Sequence, residues 1–286
     1  MFKKSLRGTK QVKQMNIFKK IKNFFKKLFC KKEKPKENQK PVNDKPSVPQ
    51  IPQCEYELIY EDTYDSVDTT FWTIRKSGSS SWNKHAGLHP KPMETEDDGK
   101  FFRFICERTD SNDDGWATAA VTTKDVFGDG KFECLARFNS GKATWPAIWM
   151  SSENKSHDLT TYKDYFEIDL SEYYENRTNT DTTYHFPKSM RKECNTQQVK
   201  TEINPEEWNK FVCEWGENEL SVSINDKKVW SFKNNGDADE YPLAEYQRRF
   251  RIILSMQYTS RWLSEPDLNE LPLWMDVKGF KLYKKI

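Results

Sequence analysis

Residues 165–175 read YFEIDLSEYYE, and three of the four acidic residues there, Glu167, Asp169 and Glu172, stand at a spacing that could do chemistry. On a β-strand alternate residues share a face, so Glu167 and Asp169 point one way. Phe166, Ile168 and Leu170 then make an apolar face on the other side. Glu172 is out of phase with Glu167, and one extra residue near Ser171, a β-bulge, returns it to the acidic face. With that bulge about four strand steps separate the glutamates, roughly 13 Å between Cα atoms. Side chains reaching about 4 Å inward leave the carboxyls about 5 Å apart, the separation of a nucleophile and an acid/base working on one glycosidic bond. Asp169 lies between them, able to hold a proton or a hydrogen bond against either neighbour. The plain alternative for such a run of like charge is a solvated acidic loop.

Other groups that could do chemistry are less promising. His85 and His89 are four apart, but Gly87 and Pro90 spoil a helix there and no carboxylate follows, so zinc is not expected. The stretch DSNDDG (110–115) begins like a calcium loop, yet Val121 stands where the bidentate Glu is needed, and an ordinary turn is expected. The six cysteines form no C-x-x-C pair. Cys106, Cys134 and Cys213 lie in apolar runs and read as small buried hydrophobes. No metal site is predicted.

The elements that must position the carboxylates are short strands. KFECLARFN places Phe132, Cys134, Ala136 and Phe138 on one face. LSVSINDKKVWSF reads as two strands around an Asn225-Asp226 turn. RFRIILSMQY and LWMDVKGFKLY read as further strands, and convincing helical stretches are absent beyond the N-terminal segment. The expected class is all-β, a sandwich of two antiparallel sheets.

Charge divides the chain. Residues 1–54 carry net +13 and residues 55–286 net −11. An acidic body argues against nucleic acid as its ligand, since a phosphate backbone needs a positive surface. Within 1–32, Ile17, Phe18, Ile21, Phe24, Phe25, Leu28 and Phe29 fall on one helical face and lysines fill the other. That basic amphipathic segment, residues 15–32 in particular, could lie on a membrane surface, dock on a partner protein, or be a degenerate export signal. It is too interrupted by lysine for a transmembrane helix or a good secretory signal. Three placements stay open: membrane-associated, exported from a bacterium, or part of a phage particle. Residues 33–53, rich in Pro and Lys, predict an extended linker, and residues 54–286 the folded catalytic domain.

The order TWPAIWM (144–150), EIDLSE (167–172) and YH (184–185) resembles glycoside hydrolase family 16, which includes laminarinases, lichenases, agarases and κ-carrageenases. The resemblance runs through about 230 residues of the body. It implies a β-jelly-roll with an open concave cleft for a β-linked polysaccharide, and endo-hydrolysis with retention. Carried onto this chain, Glu167 is the nucleophile, Asp169 its assistant and Glu172 the acid/base. A β-1,3-containing glucan is the expected substrate, and the bulged spacing resembles the laminarinase and agarase branches. Trp145 and Trp149, taken as sharing one strand face, are candidate sugar platforms. Trp116 and Trp262, placed in loops, join them, and His185 is expected to hydrogen-bond near the acid/base. No cofactor is required; the family's structural calcium would use Asp276, but Thr63 stands at its other acidic position. Phe166 replaces a residue that is often small in the family. The alternative function is a non-catalytic glycan-binding or phage attachment protein on the same fold. The oligomeric state is not legible.

Overall fold

The structure is a computed structural model describing residues 55–78, 84–153, 160–259 and 263–286. The expected amphipathic segment and linker lie outside these residues, as does Trp262. The first strands are β1 (Tyr56–Glu61), β2 (Trp72–Ile74), β3 (Ala86–Leu88), β4 (Lys91–Thr95), β5 (Gly99–Arg108) and β6 (Trp116–Thr123). Next come β7 (Gly130–Asn139), β8 (Ala147–Ser152), β9 (Glu167–Glu172), β10 (Asn179–His185) and β11 (Gln197–Glu202). The last are β12 (Asn209–Trp215), β13 (Glu219–Ile224), β14 (Lys227–Lys233), β15 (Phe250–Ser255) and β16 (Leu273–Lys285). Helices among the described residues are single turns, such as the α-helical turn Pro187–Met190 and the 3-10 turn Glu245–Arg248.

One layer runs β11-β10-β9-β8-β15-β6 and the other β5-β16-β7-β12-β13-β14, joined where β5 pairs with β6. These pairings are antiparallel; the exception is β3, which lies parallel to β6 and departs from the all-antiparallel expectation. Alternation explains the layering. On β7, Phe132, Cys134, Ala136 and Phe138 are at most 2 % exposed and face the core, while Lys131, Glu133, Leu135 and Arg137 between them are partly exposed. The opposite layer supplies Ile148 and Met150 from β8 and Ile168 and Leu170 from β9, all fully buried in the same cluster. Contact between layers is direct: Cys213 Sγ of β12 lies 3.5 Å from Met150 Sδ of β8. Cys106, Cys134 and Cys213 are buried and free, and burial pushes each thiol up.

The Asn225-Asp226 turn joins β13 to β14 with φ of 50° and 62°, the left-handed pair that a two-residue hairpin needs. In β9 the register jumps from Trp149↔Asp169 to Ile148↔Ser171, leaving Leu170 as the extra residue. Leu170 and Ser171 are both fully buried, so the bulge turns two consecutive side chains inward. Ser171 survives there by sharing a 2.7 Å hydrogen bond with the hydroxyl of Thr180.

Candidate active site

The bulge decides what stands on the core-distal face of β9. Glu167 lies across from Ser151 of β8 and His185 of β10, Asp169 from Trp149 and Thr183, and Glu172 from Ala147 and Asp181. Residues directly opposite in a ladder share a face, so the three carboxylates form one row along the strand. Phe166, in the position that is often small in the family, is fully buried in the core and takes no place on this face.

Each carboxylate has its own surroundings. Glu167 accepts a short hydrogen bond at Oε2 from the phenol of Tyr165, two residues back along the chain. His185 Nε2 stands 3.8 Å from Glu167 Oε1 and 3.3 Å from Asp169 Oδ2. The second contact has ion-pair distance without hydrogen-bond geometry, so Asp169 Oδ2 is buried with no hydrogen-bond donor. Glu172 is the best anchored: Oε1 accepts Trp145 Nε1 at 3.1 Å and Tyr174 Oη at 2.7 Å, and Oε2 accepts Thr183 Oγ1 at 2.9 Å.

Burial and crowding set the protonation of the inner pair. Burial first, and then the neighbouring Asp169, push Glu167 up to about 8, against the lowering influence of His185 and of the Tyr165 hydrogen bond. Asp169 is likewise held well above the usual carboxylate range, by burial and then by Glu172. Protons in such a cluster belong to the set of carboxyls, and a charge removed from one is felt by the others. Burial also pushes up the phenols of Tyr165 and Tyr174, which therefore stay protonated and able to donate.

The other expected contributors sort differently. Trp145 lies just before β8 and not within it, half-buried, with its ring stacked on Tyr174 at 5.7 Å between centroids. Its indole meets Glu172 on the face where Trp149 stands across from Asp169. Trp149 is 8 % exposed, packs with Ala147 and Ile253, and donates to Ser255 Oγ at 3.2 Å. Trp116 is the first residue of β6, correcting its placement in a loop, and its ring meets His85 and Tyr258 edge-on. The imidazole of His185 stands beside Glu167 and Asp169, at the other end of the row from its expected place near Glu172. Tyr165, Tyr174 and Thr183 escaped sequence reasoning. The two tyrosines carry a signal in retrospect, since each stands two residues outside a glutamate, in YxE and ExY.

Glu167, Asp169 and His185 bring ligand atoms within 4.8 Å of one another. Within this group Tyr165 caps Glu167, and burial holds both carboxyls above their ordinary range. Asp276 does not fit a calcium ion. Its side chain is fully buried, and its oxygens accept Arg103 Nε at 2.8 Å, Arg103 Nη2 at 2.9 Å and Arg137 Nε at 3.0 Å. Two guanidiniums occupy the place of a cation.

The family profile described as glycosyl hydrolases family 16 matches residues 91–269. A keratan-sulfate endo-1,4-beta-galactosidase from Sphingobacterium multivorum is 23 % identical over 245 residues, 82 % of this chain and 56 % of that protein. A beta-glucanase from Rhodothermus marinus is 26 % identical over 166 residues, 54 % of this chain and 57 % of that protein. The chain thus spans little more than half the length of these curated relatives. Among solved structures, a non-specific endo-β-1,3(4)-glucanase superposes with a TM-score of 0.67 at 18 % identity, covering 82 % of this chain and 96 % of the other. The laminarinase catalytic domain of Thermotoga maritima gives 0.64 at 20 %, covering 81 % and 99 %. The jelly-roll is therefore shared with these enzymes, and with a profile match over most of its length the chain belongs to glycosyl hydrolases family 16.

Proposed function

We propose that the chain is an endo-acting, retaining glycoside hydrolase that cleaves a β-linked polysaccharide, with a β-1,3-containing glucan as its substrate. The observation that carries this reading is the row of Glu167, Asp169 and Glu172 on the core-distal face, brought into line by the bulge at Leu170. Glu167, oriented by Tyr165, attacks the anomeric carbon and forms the glycosyl-enzyme. Glu172 protonates the departing oxygen and then takes a proton from the incoming water. Asp169 hands charge and protons between them: when Glu167 becomes a neutral ester its repulsion vanishes, which eases the return of Glu172 to its basic form. Trp145, whose indole already reaches Glu172, offers an aromatic surface beside the bond that breaks.

The relatives include a beta-glucanase and a keratan-sulfate endo-1,4-beta-galactosidase, so the decisive assay spans both substrates. Reducing-end release is measured from laminarin, mixed-linkage glucan and keratan sulfate with the native chain, Glu167→Ala and Glu172→Ala. Cleavage of laminarin that both substitutions abolish supports the proposal, and turnover unchanged by Glu167→Ala sinks it. Cleavage of keratan sulfate alone would replace the glucan and keep the mechanism. Contact of residues 15–32 with a membrane surface remains part of the proposal, argued from lysine and phenylalanine on opposite helical faces. Co-flotation of the full chain with anionic vesicles, lost on removal of residues 1–32, is the expected result.

A further inference from the structure

Resting on the reading of Glu172 as acid/base, the geometry points to one of its two oxygens, Oε2, as the atom that carries the catalytic proton, with Trp145 and Tyr174 as the positioning residues that keep it there. A carboxylate oxygen has two lone-pair sites. At Oε1 both are taken, one by the indole N–H of Trp145 at 3.1 Å and one by the phenol of Tyr174 at 2.7 Å. An indole nitrogen donates and cannot accept, so its site is closed to a proton in every protonation state. The Tyr174 site could take a proton only if the phenol turned to accept it, and its own hydrogen would then lose the carboxylate it now meets.

Oε2 differs. Among the described residues it accepts one hydrogen bond, from Thr183 Oγ1 at 2.9 Å, and its second site is open. A proton added there breaks nothing. Thr183 is itself held from β11, where Gln198 Nε2 approaches its hydroxyl at 3.4 Å and Asp181 at 3.2 Å. The three donors thus fix the carboxyl plane, and the one unfilled lone pair is where the glycosidic oxygen must arrive to be protonated. In the first step the Oε2–H bond breaks and its proton passes to the departing oxygen, leaving the electron pair on Glu172. In the second the same site takes a proton from water as the glycosyl ester is cleaved.

Other ionisable groups face this carboxyl. Asp181 lies across from it on β10 and Asp169 stands on its own strand. The Arg177 guanidinium is 5.0 Å over the Tyr174 ring and 3.9 Å from Asp181, and Lys200 of β11 is also 3.9 Å from Asp181. His185 stands one row further along, beside Asp169. From β8 the residue opposite is Ala147, which carries no charge. These groups act on the charge of the whole carboxyl and do not distinguish its oxygens; the three donors do.

Neutron diffraction from crystals of the native chain, at a pD low enough to protonate the carboxyls, locates the hydrogen directly. A deuteron on Glu172 Oε2, away from Thr183, is the expected result, and a deuteron on Oε1 with Tyr174 turned to accept it overturns the assignment. The second measurement is the pH profile of kcat/KM on laminarin for Tyr174→Phe, which keeps the ring stacked on Trp145 and removes only the donor. Losing a hydrogen bond that favours the carboxylate moves the alkaline limb to higher pH. A merely structural role for Tyr174 would lower the rate with the limb unmoved, which counts against the inference. If laminarin is not cleaved at all, the glucan reading fails while the neutron result still decides the proton's position.

Discussion

His185 stands directly across from Glu167 in the β9–β10 register, yet its Nε2 is nearer to Asp169, at 3.3 Å against 3.8 Å. The imidazole therefore stands against both inner carboxyls, and with the Tyr165 hydrogen bond it opposes the effect of burial on Glu167. Replacing it with alanine removes that opposition, so Glu167 keeps its proton to higher pH. The acid limb of the pH–activity profile, which requires ionised Glu167, should move to higher pH in His185→Ala, with the alkaline limb less affected. A profile of unchanged shape would mean the imidazole does not govern the pair.

Burial of Glu167 also leaves a mark on stability. Its carboxyl ionises near 4.3 in an unfolded chain and is pushed up to about 8 in the fold. Below the first value both states are protonated and nothing is lost. Between the two, the unfolded chain releases a proton that the folded chain keeps, so stability falls as pH rises, and above about 8 the loss is complete. Glu167→Gln, which has no proton to release, escapes this. Melting temperatures at acid, neutral and mildly alkaline pH should show the variant gaining on the native chain as pH rises through that window. A constant difference would place the shift elsewhere in the cluster.

Asp276 is a different kind of buried charge, because its cations are built in. Its partners Arg103 and Arg137 are about one-fifth exposed, and their guanidiniums lie over Trp274 and Trp208 at 4.1 Å and 4.5 Å. Asp276→Asn leaves two guanidiniums facing one neutral amide, and removal of one partner of a buried pair costs about 3–5 kcal/mol. Urea unfolding should show the unfolding free energy falling by that amount, seen as a lower midpoint at unchanged slope. A chelator should leave the melting temperature of the native chain where it is, since two arginines hold the place of a cation; a drop would reveal a bound ion.

Much of this was legible in residue order, for physical reasons that also mark where legibility stops. Period-two alternation in β7 follows directly from strand geometry, and so does the turn at Asn225-Asp226. The bulge could be inferred because Glu172 would otherwise have faced the core, where an unpaired carboxylate is costly. What could not be read was anything set by distant pairing. His185 lies next to Glu167 because β10 runs antiparallel to β9 in one particular register, and nothing within YHFP states that register. Trp145 looked like part of the strand that carries Trp149; the strand begins only at Ala147, and Trp145 brings its indole to Glu172 from the segment before it. Tyr165 and Tyr174 were in plain view, but a tyrosine beside an acid strand reads equally well as core, and only the three-dimensional structure separates the two.

The bulge itself makes the sharpest prediction, because side-chain facing in a strand has period two. With two residues between Asp169 and Glu172, the three carboxylates share a face only because one of the two, Leu170, is unpaired. Deleting Ser171 leaves a single intervening residue, E-I-D-L-E, a regular alternation that needs no bulge to keep the three carboxylates together. The loss is one buried hydroxyl pair with Thr180 and some local repacking around Leu170. Inserting one alanine after Ile168 instead puts Glu167 out of phase with Asp169 and Glu172, so either the first or the last two carboxylates must turn into the core. The deletion should therefore keep measurable turnover on whichever glycan the native chain cleaves, and the insertion should lose it entirely. Equal loss in both would mean that the bulge sets the distance between Glu167 and Glu172 as tightly as it sets their facing.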